Sequence, residues 1–183
     1  MLEKTTVKVY NYICGGDFVD RTRTCFFTGH RKLPSDKKEK IKQSIKQNIE
    51  TLIVSYDVKN FISGGALGFD TMAAEAVTEL KMSYPHIKLY MYIPCHNQDV
   101  LWSQDNKKKY ADILSKSDEV IYISDKPYSK DCMYKRNLKM IEDSFFCIAF
   151  CINSRSGTGF TIRNAIEAHK HVFNIADELY NEK

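Results

Sequence analysis

Two runs of small residues, each leaving an apolar segment and entering one with helical spacing, carry the best chemical prospects in this chain. The first is Ser63-Gly64-Gly65-Ala66-Leu67-Gly68-Phe69-Asp70. Glycines there permit positive φ and bring backbone N–H groups close to a ligand. The start of the following helix adds orphan donors and a partial positive charge, so a phosphate is the natural guest; a tight turn without a ligand is the plainer alternative. Gly64, Gly65 and Gly68 are expected to supply the amides, beside Ser63, with Asp70 accepting from a ribose hydroxyl or fixing the turn. A bulky residue at Gly65 should then abolish binding while the fold survives. The segment is not the dinucleotide fingerprint GxGxxG, no acidic residue ends the next strand, and no Gly-Lys-Ser/Thr occurs. Ordinary NAD enzymes and P-loop NTPases are therefore disfavoured.

The second run is Asn153-Ser154-Arg155-Ser156-Gly157-Thr158-Gly159-Phe160-Thr161. Ser156, Gly157, Thr158 and Thr161 are candidates to close over the same phosphate or ribose, because both runs would lie at one edge of a sheet. Gly29, His30 and Arg31 follow another apolar segment, and Arg31 can pair bidentately with phosphate; His30 reads equally well as a satisfied structural histidine. Tyr128, Arg136 and Asn137 are candidates for contacts to a base or ribose, and Arg136 also for phosphate; plain surface positions explain each of them equally well. Trp102 and Tyr110 read as helix packing rather than stacking platforms.

The elements that must position these residues alternate regularly. Strands are expected at Thr24–Thr28, Lys59–Ser63, Ile87–Ile93, Glu119–Ile123 and Phe145–Ile152, with a last short one at Val172–Ile175 before a charged tail. Helices are expected from Ser35 or Asp36 through Leu52, then over Phe69–Tyr84, Asp99–Ser117, Cys132–Ser144 and Phe160–Lys170. Such alternation implies a Rossmann-like, doubly wound, mainly parallel sheet with helices on both faces, and ligands at the carboxyl ends of its strands. Residues 1–23 read as an N-terminal β-hairpin extension, with Thr5–Ile13 turning at Cys14–Asp17 and Phe18–Cys25 returning. Residues 24–183 form the main domain.

The chain of 183 residues, 43% hydrophobic and 27% charged, suits one soluble globular domain. Its longest apolar runs are strand-sized, far below the roughly 20 residues of a membrane helix, and no secretory signal is visible. The expectation is a cytoplasmic protein with reduced thiols. Cys147 and Cys151, if on one strand, would stand over ~13 Å apart at about 3.3 Å per residue, so they make a poor metal or disulfide pair; no metal is expected. A net charge of +4 suits an anionic ligand without demanding nucleic acid, which usually brings a stronger basic stripe.

FTGHR at Phe27–Arg31, SGGALGFD at Ser63–Asp70, Trp102, PYS at Pro127–Ser129, CMYKRN at Cys132–Asn137 and SGTGFT at Ser156–Thr161 occur in an order and spacing that resemble the YpsA-like branch of the SLOG superfamily, across roughly residues 24–175. That group also holds DprA-like proteins and the Lonely Guy (LOG) phosphoribohydrolases. The resemblance implies a Rossmann-like fold, a nucleotide or nucleotide-derived ligand rather than a fixed cofactor, and homo-oligomers, most simply dimers. LOG enzymes use an arginine and a glutamate from PGGxGTxxE; here Arg163 stands where that glutamate is expected and the leading Pro-Gly is missing, which leaves Glu167 or Asp70 as the carboxylate for glycosidic cleavage. The leading expectation is a module that senses or sequesters an ADP-ribose-like molecule or a cyclic nucleotide signal. A LOG-type phosphoribohydrolase is the alternative, and single-stranded nucleic-acid binding of DprA type a further, disfavoured one.

Overall fold

The computed structural model describes residues 6–9, 19–125, 127–129 and 131–181. Among these residues seven strands form one sheet: β1 (Thr6–Val9), β2 (Thr24–Gly29), β3 (Asn60–Ser63), β4 (Lys88–Ile93), β5 (Glu119–Tyr122), β6 (Phe146–Phe150) and β7 (His171–Asn174). All neighbours pair parallel, in the order β1-β5-β4-β3-β2-β6-β7. Parallel strands covered on both faces should read as apolar runs rather than alternating ones, and FCIAF of β6 is buried at every position.

Among the described residues six α-helices cover the sheet: α1 (Lys38–Tyr56), α2 (Phe69–Leu80), α3 (Gln104–Lys116), α4 (Cys132–Glu142), α5 (Gly157–Glu167) and α6 (Ile175–Asn181). Alternate strand residues divide the core in two. Phe27, Phe61, Met91 and Phe150 pack with α1, α2, α3 and α6. Phe26, Ile62, Tyr92 and Ala149 face the other way, onto α4 and α5. The Rossmann-like α/β class expected from the sequence is therefore what the chain adopts. Among the described residues no helix is long and apolar enough to cross a membrane.

From β2 the chain steps outward through β3, β4 and β5, then crosses to β6 on the opposite side of β2. The connections after β2 and β6 consequently diverge, and a crevice opens where Gly29 and Phe150 end their paired strands.

Three expectations need correction. The N-terminal hairpin is not formed by β1 and β2. Thr6–Val9 lies parallel along β5 at the sheet edge, whereas Thr24–Gly29 is central, between β3 and β6. The expected turn at Cys14–Asp17 lies outside the described residues. An alternating segment fits any free sheet edge, and β5 offers one. The charged tail contains α6, anchored to α1 by the Ser44 hydroxyl donating to Glu178, 2.8 Å. Finally, α5 begins at Gly157 rather than Phe160 because Ser156 caps it, its Oγ accepting from the Gly159 N–H at 3.1 Å.

Candidate nucleotide site

The crevice between β2 and β6 holds a cavity of about 370 Å³. Of the residues singled out in the sequence, Gly29, His30, Arg31, Asp70, Arg136, Asn137, Ser156, Gly157 and Thr158 line it; Ser63, Gly64, Gly65, Gly68 and Thr161 do not. Thr28, Ala66 and Met133 complete the wall.

The α5 end is arranged to receive an anion. Helix geometry leaves its first amides without partners inside the helix. The Gly159 amide is taken by the Ser156 hydroxyl and the Phe160 amide by the Ser156 carbonyl, 2.9 Å. Among the described residues no group accepts from the Gly157 and Thr158 amides that stand ahead of them, and a Cβ built on Gly157 meets nothing within 4 Å. The preceding loop is stitched to itself and its surroundings without help from a ligand. The Ser156 hydroxyl donates to the Asn153 carbonyl (2.6 Å), and Asn174 at the end of β7 grips Cys151 through both backbone groups (2.9 and 3.1 Å). Few dihedrals remain to be ordered on binding.

The glycine turn plays a different part from the one its composition suggests. The Gly65 amide donates to the Ser63 hydroxyl, 3.2 Å, and that hydroxyl donates to the Asp70 carbonyl, 3.0 Å. The Phe69 amide donates to the His30 carbonyl, 3.2 Å, and the Thr71 amide to the Ala66 carbonyl, 3.1 Å. Gly65 (φ +63°) faces Met91, Tyr110 and Gln98 in the core, and Gly68 (φ +84°) lies under the Arg31 carbonyl, 2.3 Å from where its Cβ would stand. The turn thus docks α2 against the loop after β2. Its contributions to the cavity are Ala66 and Asp70. A bulky residue at Gly65 would meet a strained backbone and occupied space, so it is no clean probe of binding; Gly157 is the position that tests the cavity without disturbing the core.

A chain of hydrogen bonds joins the two turns. Thr161 on α5 donates to the Gly157 carbonyl (3.1 Å) and accepts from Asn137 (2.8 Å). Asn137 in turn accepts from Arg136 Nε (2.8 Å), and Arg136 Nη1 donates to the Gly64 carbonyl. The guanidinium occupies the space that a Cβ on Gly64 would need. Thr161, Asn137 and Gly64 are therefore placed to position Arg136, which is 5% exposed and lies against the cavity.

Asp70 is also 5% exposed. Burial pushes its pKa up to about 6, against the opposing pull of Arg136, backbone hydrogen bonds at Ala66 and Gly29, and Arg31. Burial lowers the pKa of Arg136, while Asp70 acts to raise it. His30 Nε2 accepts from the Ile152 amide, 3.0 Å, so that nitrogen carries no proton. Burial lowers its pKa as well, in keeping with a neutral ring. His30 is a latch between the β2 and β6 loops.

Comparison with known proteins bears on this geometry. The family model described as the YspA SLOG family (YpsA) matches residues 26–175. The chain belongs to the YpsA-like branch of the SLOG superfamily. Among relatives of this SLOG domain is the uncharacterized SPbeta prophage-derived protein YoqJ of Bacillus subtilis strain 168, 36% identical over 145 residues covering 73% of this chain and 82% of YoqJ. A UPF0398 protein of Halalkalibacterium halodurans is 40% identical over 88 residues, 48% of this chain and 46% of that one. The similar UPF0398 protein of Bacillus thuringiensis strain Al Hakam matches at 31% over 121 residues, 66% and 65% of the two chains. The fold is shared with DNA processing protein A from Helicobacter pylori, whose structure addresses its single-stranded DNA binding mode (TM-score 0.61, 22% identity, 84% of this chain and 65% of that one). It is shared too with DNA processing protein A from Streptococcus pneumoniae (TM-score 0.58, 20% identity, 82% and 49%). The matched region thus spans about two thirds of the first of those chains and about half of the second.

Proposed function

We propose that the crevice binds a nucleotide-derived small molecule, an ADP-ribose-like compound or a cyclic nucleotide, and that the protein senses or sequesters it. The observation that carries this reading is the pair of uncommitted amides at Gly157 and Thr158, opening on free space with Arg31 and Arg136 along the same cavity. A phosphate seated there accepts from both amides, as at other helix N-termini, and is neutralised by the guanidiniums. Asp70 faces the same space and accepts from a ribose hydroxyl. Membership of the SLOG superfamily supports a nucleotide or nucleic acid as the ligand class.

The phosphoribohydrolase reading has less to stand on. Glu167 closes α5, ten residues and about 15 Å along the helix axis from Gly157, so it cannot reach the cavity. Arg163 donates to the Ser154 carbonyl on the protein surface. Asp70 is the sole carboxylate among the described lining residues, and below about pH 6 it is protonated. Single-stranded nucleic acid is favoured by the fold shared with DNA processing protein A. It would want aromatic platforms for its bases, and no Phe, Tyr or Trp lines the cavity among the described residues.

A thermal-shift screen against a nucleotide panel tests the proposal. A ligand at 100 times its Kd stabilises by about 2.7 kcal/mol, which is roughly 5–11 °C in a chain of this size. Gly157→Phe should remove the shift while leaving the unliganded melting temperature near that of the parent. A shift that persists in Gly157→Phe places the ligand elsewhere. Release of free base from nucleoside monophosphates would replace the binding role with a catalytic one.

A further inference from the structure

Arg31 borders two concavities. Beyond the crevice, a second hollow of about 600 Å³ opens beside the same residue, walled by Lys32, Lys38, Gly68, Thr71, Glu75 and Lys109 among others. Its lining brings four cations, with Arg31, against the single carboxylate of Glu75.

None of these four cations has an ion-pair partner within 4.0 Å among the described residues. A little further along the same α1–α2 seam, Lys42 and Lys46 share Glu79. Lys42 and Lys46 are thus neutralised by a carboxylate on the facing helix, whereas among the described residues the lysines lining the hollow are left open. A concave wall of one sign concentrates the field and draws an anion into it.

The two spaces are also fixed relative to each other. The Phe69 amide binds the His30 carbonyl, and Gly68 lets the Arg31 backbone lie directly on the start of α2. Arg31 therefore stands on a rigid partition, with the crevice on one side and the lysine-lined hollow on the other. The crevice alone, at about 370 Å³, is near the lower end of small-molecule sites, roughly 300–1,000 Å³.

We infer that the ligand is a dinucleotide, two nucleosides joined through phosphate. Its first nucleotide occupies the crevice at Gly157 and Thr158, its linking phosphate lies on Arg31, and its second half extends over Lys38 and Lys109. This inference rests on the nucleotide reading of the crevice and adds to it the size and charge distribution of the ligand.

Isothermal titration separates the two claims. For each of the four bases, the probes are a nucleoside 5′-monophosphate, the linear 5′-phosphorylated dinucleotide and a 5′-phosphorylated hexanucleotide. The parent should bind the dinucleotide of the favoured base at least tenfold more tightly than the monophosphate. The double variant Lys38→Gln/Lys109→Gln, altered only at exposed side chains, should lose that margin and keep its monophosphate affinity within about twofold. Equal affinities in the parent, or a margin that survives the double variant, overturn the dinucleotide while leaving the crevice reading intact. A further tenfold gain for the hexanucleotide overturns it in favour of an extended strand. If neither the monophosphate nor the dinucleotide binds the parent, this inference fails; the crevice reading fails with it only if ADP-ribose and the cyclic mononucleotides and dinucleotides, titrated alongside, do not bind either.

Discussion

Asp70→Asn removes a charge that the fold holds at a cost. With the folded carboxyl at about pKa 6 against an ordinary 3.8, the difference of about 2 units corresponds to roughly 3 kcal/mol of native-state penalty when the group is ionised. The native state binds the proton more tightly than the unfolded chain. Stability therefore rises as pH falls from about 6 to about 4, and the full penalty is present above about 6. Asparagine keeps the shape and one acceptor oxygen but must orient its NH2 group, so a net gain of about 2 kcal/mol at pH 7.5 is expected, roughly 4–8 °C in melting temperature. His30 titrates in the opposite sense. Its folded pKa is depressed, so its contribution is present above the unfolded pKa and lost as pH falls below it. The quantity to follow is thus the difference between variant and parent in urea unfolding at pH 7.5, 6 and 4.5. That difference should change little between pH 7.5 and 6 and shrink markedly between pH 6 and 4.5. A variant less stable than the parent at pH 7.5, or a gain that does not change with pH, would refute the claim that burial dominates at Asp70. If Asp70 contacts a ribose, the same stabilised variant should bind its ligand more weakly.

Asn137→Leu leaves Arg136 Nε without its partner and removes the bond the Thr161 hydroxyl accepts; a loss of about 1–3 kcal/mol is expected from the unsatisfied buried guanidinium nitrogen, with weaker nucleotide binding, read by denaturant unfolding and titration. Gly68→Ala combines a positive φ with a Cβ driven into the Arg31 carbonyl, and should cost at least about 3 kcal/mol; a near-normal midpoint of unfolding would show that the loop after β2 can shift away. The Ile152 amide, bonded to His30 Nε2, should keep its hydrogen-exchange protection at pH 7 and lose it only as pH falls below the ordinary imidazole value, beyond the intrinsic change in exchange rate, because burial lowers the pKa at which the ring takes up a proton.

Much of the architecture could be read directly because buried parallel strands announce themselves. The run Phe146–Phe150 and the stripe Ile41, Ile45, Ile49 leave little freedom of assignment. The partners of the glycine turn were not readable. The groups that occupy its donors come from the Ser63 side chain and from His30, a residue nearly forty positions upstream, and composition cannot distinguish an amide offered to a ligand from one consumed by a neighbouring loop. The Arg136–Asn137–Thr161 chain was half visible. All three residues stood out as candidates, but the sequence does not say that two of them hold the third. Ser156 three residues ahead of Gly159 was a usable capping signal, and it would have moved the start of α5 to the residues that matter. The location of β1 depended on which sheet edge was vacant, a property of the assembled fold.

The hydrogen-bonded series from the Gly157 carbonyl through Thr161, Asn137 and Arg136 to the Gly64 carbonyl crosses the point where the winding of the sheet reverses. Its links belong to α5, α4 and the turn after β3, so the two halves of the domain are braced against each other at their shared rim. Prying the crevice apart breaks this brace at one link or another, each a buried or half-buried contact. A ligand arriving there meets a vessel of set width, and discrimination among guests follows from their dimensions more than from any closing movement of the walls.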